Sequence, residues 1–146
     1  MTTDLESRIR QLEDRALISE RVIKYAMAVD RADWRCSPTA SPIPCTPTTP
    51  RMGCRQPISP ATTWSALFAG RSAVTRQLST NHVIEFDEND SDRALCYSYM
   101  YAQHYREGAE GGFFLLRGSY TNHMLRTSDG WRIESLIQHV SWADGE

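Results

Sequence analysis

From Arg93 to Trp142 the chain runs in three long stretches rich in apolar and aromatic residues, each closed by turn residues. Arg93 to Arg106 is dense in tyrosine, and Gly112 to Thr127 is apolar and aromatic. Ser128-Asp129-Gly130 marks a tight hairpin before Trp131 to Trp142. Upstream, His82 to Asp87 has a short strand pattern and leads into the polar turn Asp87 to Asp92. Strands joined by turns this short pair antiparallel, because a parallel pair needs a crossover of a dozen or more residues. The C-terminal half is therefore expected to be a meander.

The N-terminal part has the other periodicity. Thr3 followed by Glu6 has the form of a capping box. Leu5, Ile9, Leu12 and Ala16 recur at helical spacing, and Ile18, Val22, Tyr25, Ala26 and Val29 continue a stripe slightly rotated from it. This predicts one long helix, or two kinked ones, ending between Asp30 and Trp34. A second amphipathic piece is expected to carry Trp64, Leu67, Phe68, Val74 and Leu78 on one side. Helices first and strands afterwards is an α+β order.

The chain has 146 residues, which favours a single domain over 1–146. A net charge of −2 gives no reason to expect a nucleic-acid partner. No apolar run approaches the roughly 20 residues that cross a bilayer, and the charged N-terminus lacks the pattern of a signal peptide. The cytoplasm is the expected compartment. Cys36, Cys45 and Cys54 are spaced evenly by nine, which matches no zinc motif, and a disulfide framework is not expected.

Residues 36–63 break the pattern. They hold all seven prolines and three of the four cysteines, and no Asp or Glu. The segment is expected to be irregular, as a Pro/Thr/Ser-rich insertion or as the product of two compensating frameshifts. One choice of GC-rich codons, read two nucleotides on, yields a string with the content of an ordinary helix, strand and loop. The nucleotide sequence decides between the two.

Four stretches carry a resemblance. They are AMAVDRADW (Ala26 to Trp34) at the helix end, STNHVIEF (Ser79 to Phe86), YSYMYAQHYRE (Tyr97 to Glu107), and GSYTNHMLRTSDGWRIESL (Gly118 to Leu136) with the closing SWADG. Their order and spacing resemble the SnoaL-like, scytalone-dehydratase-like proteins of the nuclear transport factor 2-like superfamily. The resemblance implies an α+β fold: a cone-shaped, curved antiparallel sheet wrapped over N-terminal helices. It also implies a pocket between the helix end and the concave face. At 35–63 the chain departs from the family, and the tyrosine that scytalone dehydratase uses in its site has no counterpart.

The resemblance places Asp30, His104 and His82 in a catalytic site. Asp30 would orient His104, and a carboxylate on one imidazole nitrogen fixes the tautomer and raises the basicity of the other. Alternatively, Asp30 caps the helix and His104 is an ordinary strand residue. His82 would position a water or a substrate oxygen, or is a plain turn residue. Asn122 and Tyr120 correspond to polar substrate-binding positions, with a satisfied core amide as the alternative for Asn122. Tyr25 lines the pocket or belongs to the core. Asp33 and Trp34 are read as helix-end structure.

Strand parity puts Ala94, Cys96, Ser98, Met100, Ala102 and His104 on one face, where small residues leave room for a ligand or for helix packing. Tyr97, Tyr99, Tyr101 and Tyr105 fall on the other, suited to a second subunit. Phosphate loops, a nucleophile elbow and dinucleotide-binding glycines are absent from the sequence. The expected function is a cofactor-independent, metal-free lyase (dehydratase) or isomerase acting on a small apolar oxygenated molecule. The alternatives are a non-catalytic small-ligand-binding protein of the same fold and a degenerate, inactive family member.

Overall fold

The computed structural model describes residues 2–31, 54–56, 73–106 and 112–145. Among the described residues, one helix, α1 (Thr2–Arg31), precedes β1 (Cys54–Gln56), β2 (Ala73–Phe86), β3 (Arg93–Arg106), β4 (Gly112–Thr127) and β5 (Gly130–Gly145). The strands form one curved, wholly antiparallel sheet in the order β1-β5-β4-β3-β2. This is the expected α+β architecture. Of residues 36–63, Cys54–Gln56 pair with β5. The rest of that segment, with Trp64, Leu67, Phe68, Asp33 and Trp34, lies outside the described residues.

The helix is single and buries the second of its two stripes. Ile18, Val22, Ala26 and Val29 are buried, and Asp14 continues the same line. Leu5, Ile9 and Leu12 sit about a third of a turn round the cylinder and are exposed. The buried stripe meets the inner face of the sheet, where Cys96, Met100, Ala102, Leu116, Tyr120, Met124, Trp131 and Ile133 complete the core.

Val74 and Leu78 correct the sequence reading. They belong to β2 rather than to a helical face, and both point outward, 51% and 54% exposed. The stretch 74–79 alternates apolar or charged residues outward with Thr75, Gln77 and Ser79 inward. At Asn81 the alternation breaks. Thr80 pairs with Tyr99 and Val83 with Tyr97, so Asn81 and His82 together oppose Ser98. Asn81 takes a φ of 56°, in the left-handed region that asparagine tolerates better than most residues. This bulge shifts the parity by one, and His82 and Ile84 turn inward where Leu78 and Thr80 had turned out.

Polar clamps fix α1 against the sheet at three levels. At the first, Arg126 makes two bonds to Asp14, Nη1 to Oδ1 at 2.7 Å and Nη2 to Oδ2 at 2.6 Å. Trp131 Nε1 donates to the same carboxylate at 2.8 Å, and Arg15 donates to the Ile84 carbonyl at 2.9 Å. At the second level Ser19 meets His82. At the third, Asp30 receives bonds from β2. The helix thus runs antiparallel to β2, with its C-terminal end at the start of that strand.

Candidate functional site

The site begins with the end of α1. Asp30 lies in the last turn, its side chain 13% exposed. Thr75 Oγ1 donates to Oδ1 at 3.0 Å and the Gln77 amide to Oδ2 at 3.2 Å, while the exposed Arg76 guanidinium stands 3.8 Å away. Thr75 is the register partner of His104 on β3, so their side chains stand side by side on the inner face. His104 is 3% exposed and packs near Phe114, its partner on β4, with ring centroids 6.3 Å apart. The structure therefore brings Asp30 and His104 to one end of the sheet, with Thr75 between them.

Burial holds His104 below the ordinary histidine value, and the charge of Asp30 pulls in the opposite direction. A neutral imidazole beside a carboxylate is competent to accept a proton near pH 7.

His82 is at a different level. Its Nδ1 meets Ser19 Oγ at 2.6 Å and its Nε2 meets Ser79 Oγ at 3.4 Å. Ser19 precedes Asp30 by eleven residues, about 16 Å of helix. The structure does not bring His82 to the Asp30–His104 end. Burial lowers the His82 pKa, partly offset by a backbone hydrogen bond at Ser79.

Tyr120 and Asn122 occupy the inner face of β4, both buried. Asn122 Nδ2 donates to the Cys96 carbonyl at 3.0 Å. Tyr25 packs against the core beside Tyr120, and burial pushes its hydroxyl up to about 12 and that of Tyr120 well above the usual tyrosine value. Both phenols therefore stay protonated throughout the physiological range. Sequence reasoning missed Thr75 and Gln77, the groups that hold Asp30. Their signal was the period-2 alternation after Ala73. No group of three or more His, Cys, Asp or Glu is placed to hold a metal among the described residues.

The two depressed histidines make stability depend on pH. Above about pH 6.5 both folded and unfolded chains carry neutral imidazoles and stability is at its full value. As pH falls from there toward the folded-state values, the unfolded chain binds protons that the folded chain resists, so stability is lost. Unfolding midpoints in urea are expected to fall between pH 7 and pH 5, and to fall less in His104→Gln. A midpoint that holds or rises on acidification would contradict this.

With the geometry in place, comparison with known proteins identifies the family. A model of the SnoaL-like domain matches residues 52–137, more than half of the chain. The chain belongs to the SnoaL-like family. None of the curated proteins matches it by sequence.

Among solved structures, the Kfla4162 protein of Kribbella flavida is 27% identical. That match covers 92% of this chain and 95% of that one, with a TM-score of 0.72. A type 2 hexachlorocyclohexane dehydrochlorinase superposes with a TM-score of 0.71 at 15% identity, over 95% of this chain and 93% of that one. A protein of Novosphingobium aromaticivorans assigned as a scytalone dehydratase gives 0.68 at 15% identity, over 99% and 91%. At 15% identity these last two likenesses speak to the fold. Among the described residues, no helix of this SnoaL-like protein is long and apolar enough to cross a membrane.

Proposed function

We propose that this SnoaL-like protein is a cofactor-independent lyase or isomerase for a small apolar oxygenated molecule, with His104 as general base and Asp30 as its positioning residue. One observation carries the reading. A buried imidazole with a depressed pKa stands beside the strand residue that anchors Asp30, at the end of the sheet where α1 terminates. In a dehydration, His104 would take the proton next to a carbonyl and the C–O bond would break to form the alkene. The same proton would then return to the departing hydroxide, so that water leaves and the histidine is regenerated. An isomerisation needs only that the proton be returned to a different carbon. Two of the structural relatives are named as a dehydrochlorinase and a dehydratase, names that both denote eliminations.

The test is a panel of β-hydroxy ketones and hydroxylated or chlorinated rings, followed by absorbance of the new conjugated double bond. Turnover by the wild type that disappears in His104→Ala supports the assignment, and full activity in that variant removes it.

A non-catalytic ligand carrier is the second reading. It is favoured by the way Thr75 and the Gln77 amide already occupy the Asp30 carboxylate. Ligand affinity that is unchanged in Asp30→Asn, with no turnover over long incubation, would establish it.

We also infer that a second copy of the chain covers the outer face of the sheet. Val83, Tyr99, Tyr105, Phe113 and Trp142 are between 45% and 63% exposed there, and Arg117 stacks on Tyr101 with its guanidinium carbon 3.2 Å from the ring centre. An aromatic, arginine-bearing patch has the composition of a subunit interface. Sedimentation at micromolar concentration is expected to show a dimer that Tyr99→Glu dissociates. A monomeric wild type would end the proposal.

A further inference from the structure

Helix α1 carries a second apolar line that its packing on the sheet does not use. Leu5, Ile9, Leu12, Ile23 and Met27 are between 42% and 66% exposed. They lie more than a third of a turn round from the buried line of Ile18, Val22 and Val29. Single exposed apolar side chains are ordinary on a protein surface. These five are ordered. The steps from Leu5 to Ala16, from Ala16 to Met27 and from Leu12 to Ile23 are all eleven residues. Eleven residues fill three turns of helix, so the line runs nearly straight along α1 for roughly 33 Å. A straight apolar line of that length fits another helix laid along it with its axis nearly aligned.

The order of the residues says which helix. Counted outward from Ala16, Leu12 and Glu20 stand four residues away, Ile9 and Ile23 seven, and Leu5 and Met27 eleven. The line therefore has nearly the same spacing from either end, and its smallest side chain is at the centre. Laid antiparallel over its own copy, with the two-fold axis at Ala16, α1 sets Leu5 against Met27 and Ile9 against Ile23. The small side chain then falls where the two backbones approach most closely. Charge agrees with this register. Glu6 and Lys24 share one flank of the line and meet across the pair at both of its ends, beside the Lys24–Glu20 ion pair already formed within the chain at 2.7 Å. A parallel pair instead sets Glu20 level with Glu20 of the other copy, inside the seam.

We infer that a second copy of the chain packs its α1 antiparallel against this line, with Ala16 on the two-fold axis. The surface is separate from the outer face of the sheet, since α1 packs on the inner face. The inference does not rest on the contact proposed for that outer face. A chain that uses both surfaces joins two dimers into a tetramer. The seam is only one helix wide, so it associates at higher concentration than the sheet contact.

Sedimentation and cross-linking test the seam. Leu12→Lys is expected to halve the mass that the wild type shows at about 0.5 mM, whether or not the sheet face associates. Leu12 is 66% exposed in the single chain, so the melting temperature of the dilute variant should match that of the wild type. Ala16→Cys should form a disulfide-linked dimer under mild oxidation, in excess of any formed by the wild type with its four native cysteines, because a residue on the axis meets its own copy. Ile9→Cys should not link, and Ile9→Cys combined with Ile23→Cys should. Equal masses for Leu12→Lys and the wild type overturn the inference, as does failure of Ala16→Cys to link. Linkage by Ile9→Cys alone marks a parallel pair and overturns it too. Tyr99→Glu, on the sheet face, should leave the Ala16→Cys link intact, so the two contacts fail separately.

Discussion

Replacing Asp14 by alanine is expected to destabilise the protein by about 3 kcal/mol, a drop of roughly 6–12 °C in melting temperature for a chain this size. Asp14 ties the middle of the helix to the sheet. It accepts both terminal nitrogens of Arg126 and the indole N–H of Trp131, and it is 6% exposed. Arg126 also reaches Asp92 at 3.1 Å and lies over the Trp131 ring at 4.5 Å. One carboxylate therefore ties α1 to the β4–β5 hairpin and, through Arg126, to the β2–β3 turn.

The guanidinium beside Asp14 holds its carboxyl below the ordinary aspartate value, despite the opposing effect of burial. That contribution is complete above about pH 4 and is lost as pH falls through the folded-state value. The reverse deletion has a different signature. Arg126→Ala leaves a buried carboxylate without its cation, a penalty that eases at low pH as Asp14 takes up a proton. The double variant is expected to lose less than the sum of the single losses. Strictly additive losses would mean that the two groups stabilise the fold independently.

How much of this was legible in the chain depends on the distance over which each feature is encoded. The order of elements was legible, because periods of 3.6 and 2 differ over ten residues and the hairpin signal at Ser128-Asp129-Gly130 is local. The start of β2 was not, because Val74 and Leu78 are four apart. Residues at that spacing share a face in a helix and in a strand alike, and the polar residues between them decide the case. The bulge at Asn81 reverses the parity of His82, and it is recorded in the strand register and in a left-handed backbone angle rather than in the pattern of residues. The Asp14–Arg126 pair is 112 residues apart in sequence and leaves no local pattern. The proposed pairing of Asp30 with His104 rests on family resemblance and strand parity. Thr75, which links them in space, belonged to a stretch whose period was misread.

His104→Ala is expected to lower kcat by about 10²–10⁴-fold on any substrate the wild type turns over, the usual worth of a positioned general base. Asp30→Asn should lose less, because the base remains and only its orientation and charge support are weakened. Combined, the two changes should cost little more than His104→Ala alone, since Asp30 has nothing to act through once the imidazole is gone.

The pH profile separates this from a merely structural role for Asp30. In the wild type, kcat/KM should fall on the acid side as His104 takes up a proton, below the ordinary histidine range, because burial outweighs the aspartate charge. Removing that charge removes an influence that raises the His104 pKa, so the acid limb of Asp30→Asn should move to still lower pH. The variant would then keep a larger share of its reduced activity at pH 5 than the wild type keeps of its own. An acid limb that stays in place while activity falls would show that Asp30 acts only by holding Thr75 and Gln77 of β2 against the end of the helix.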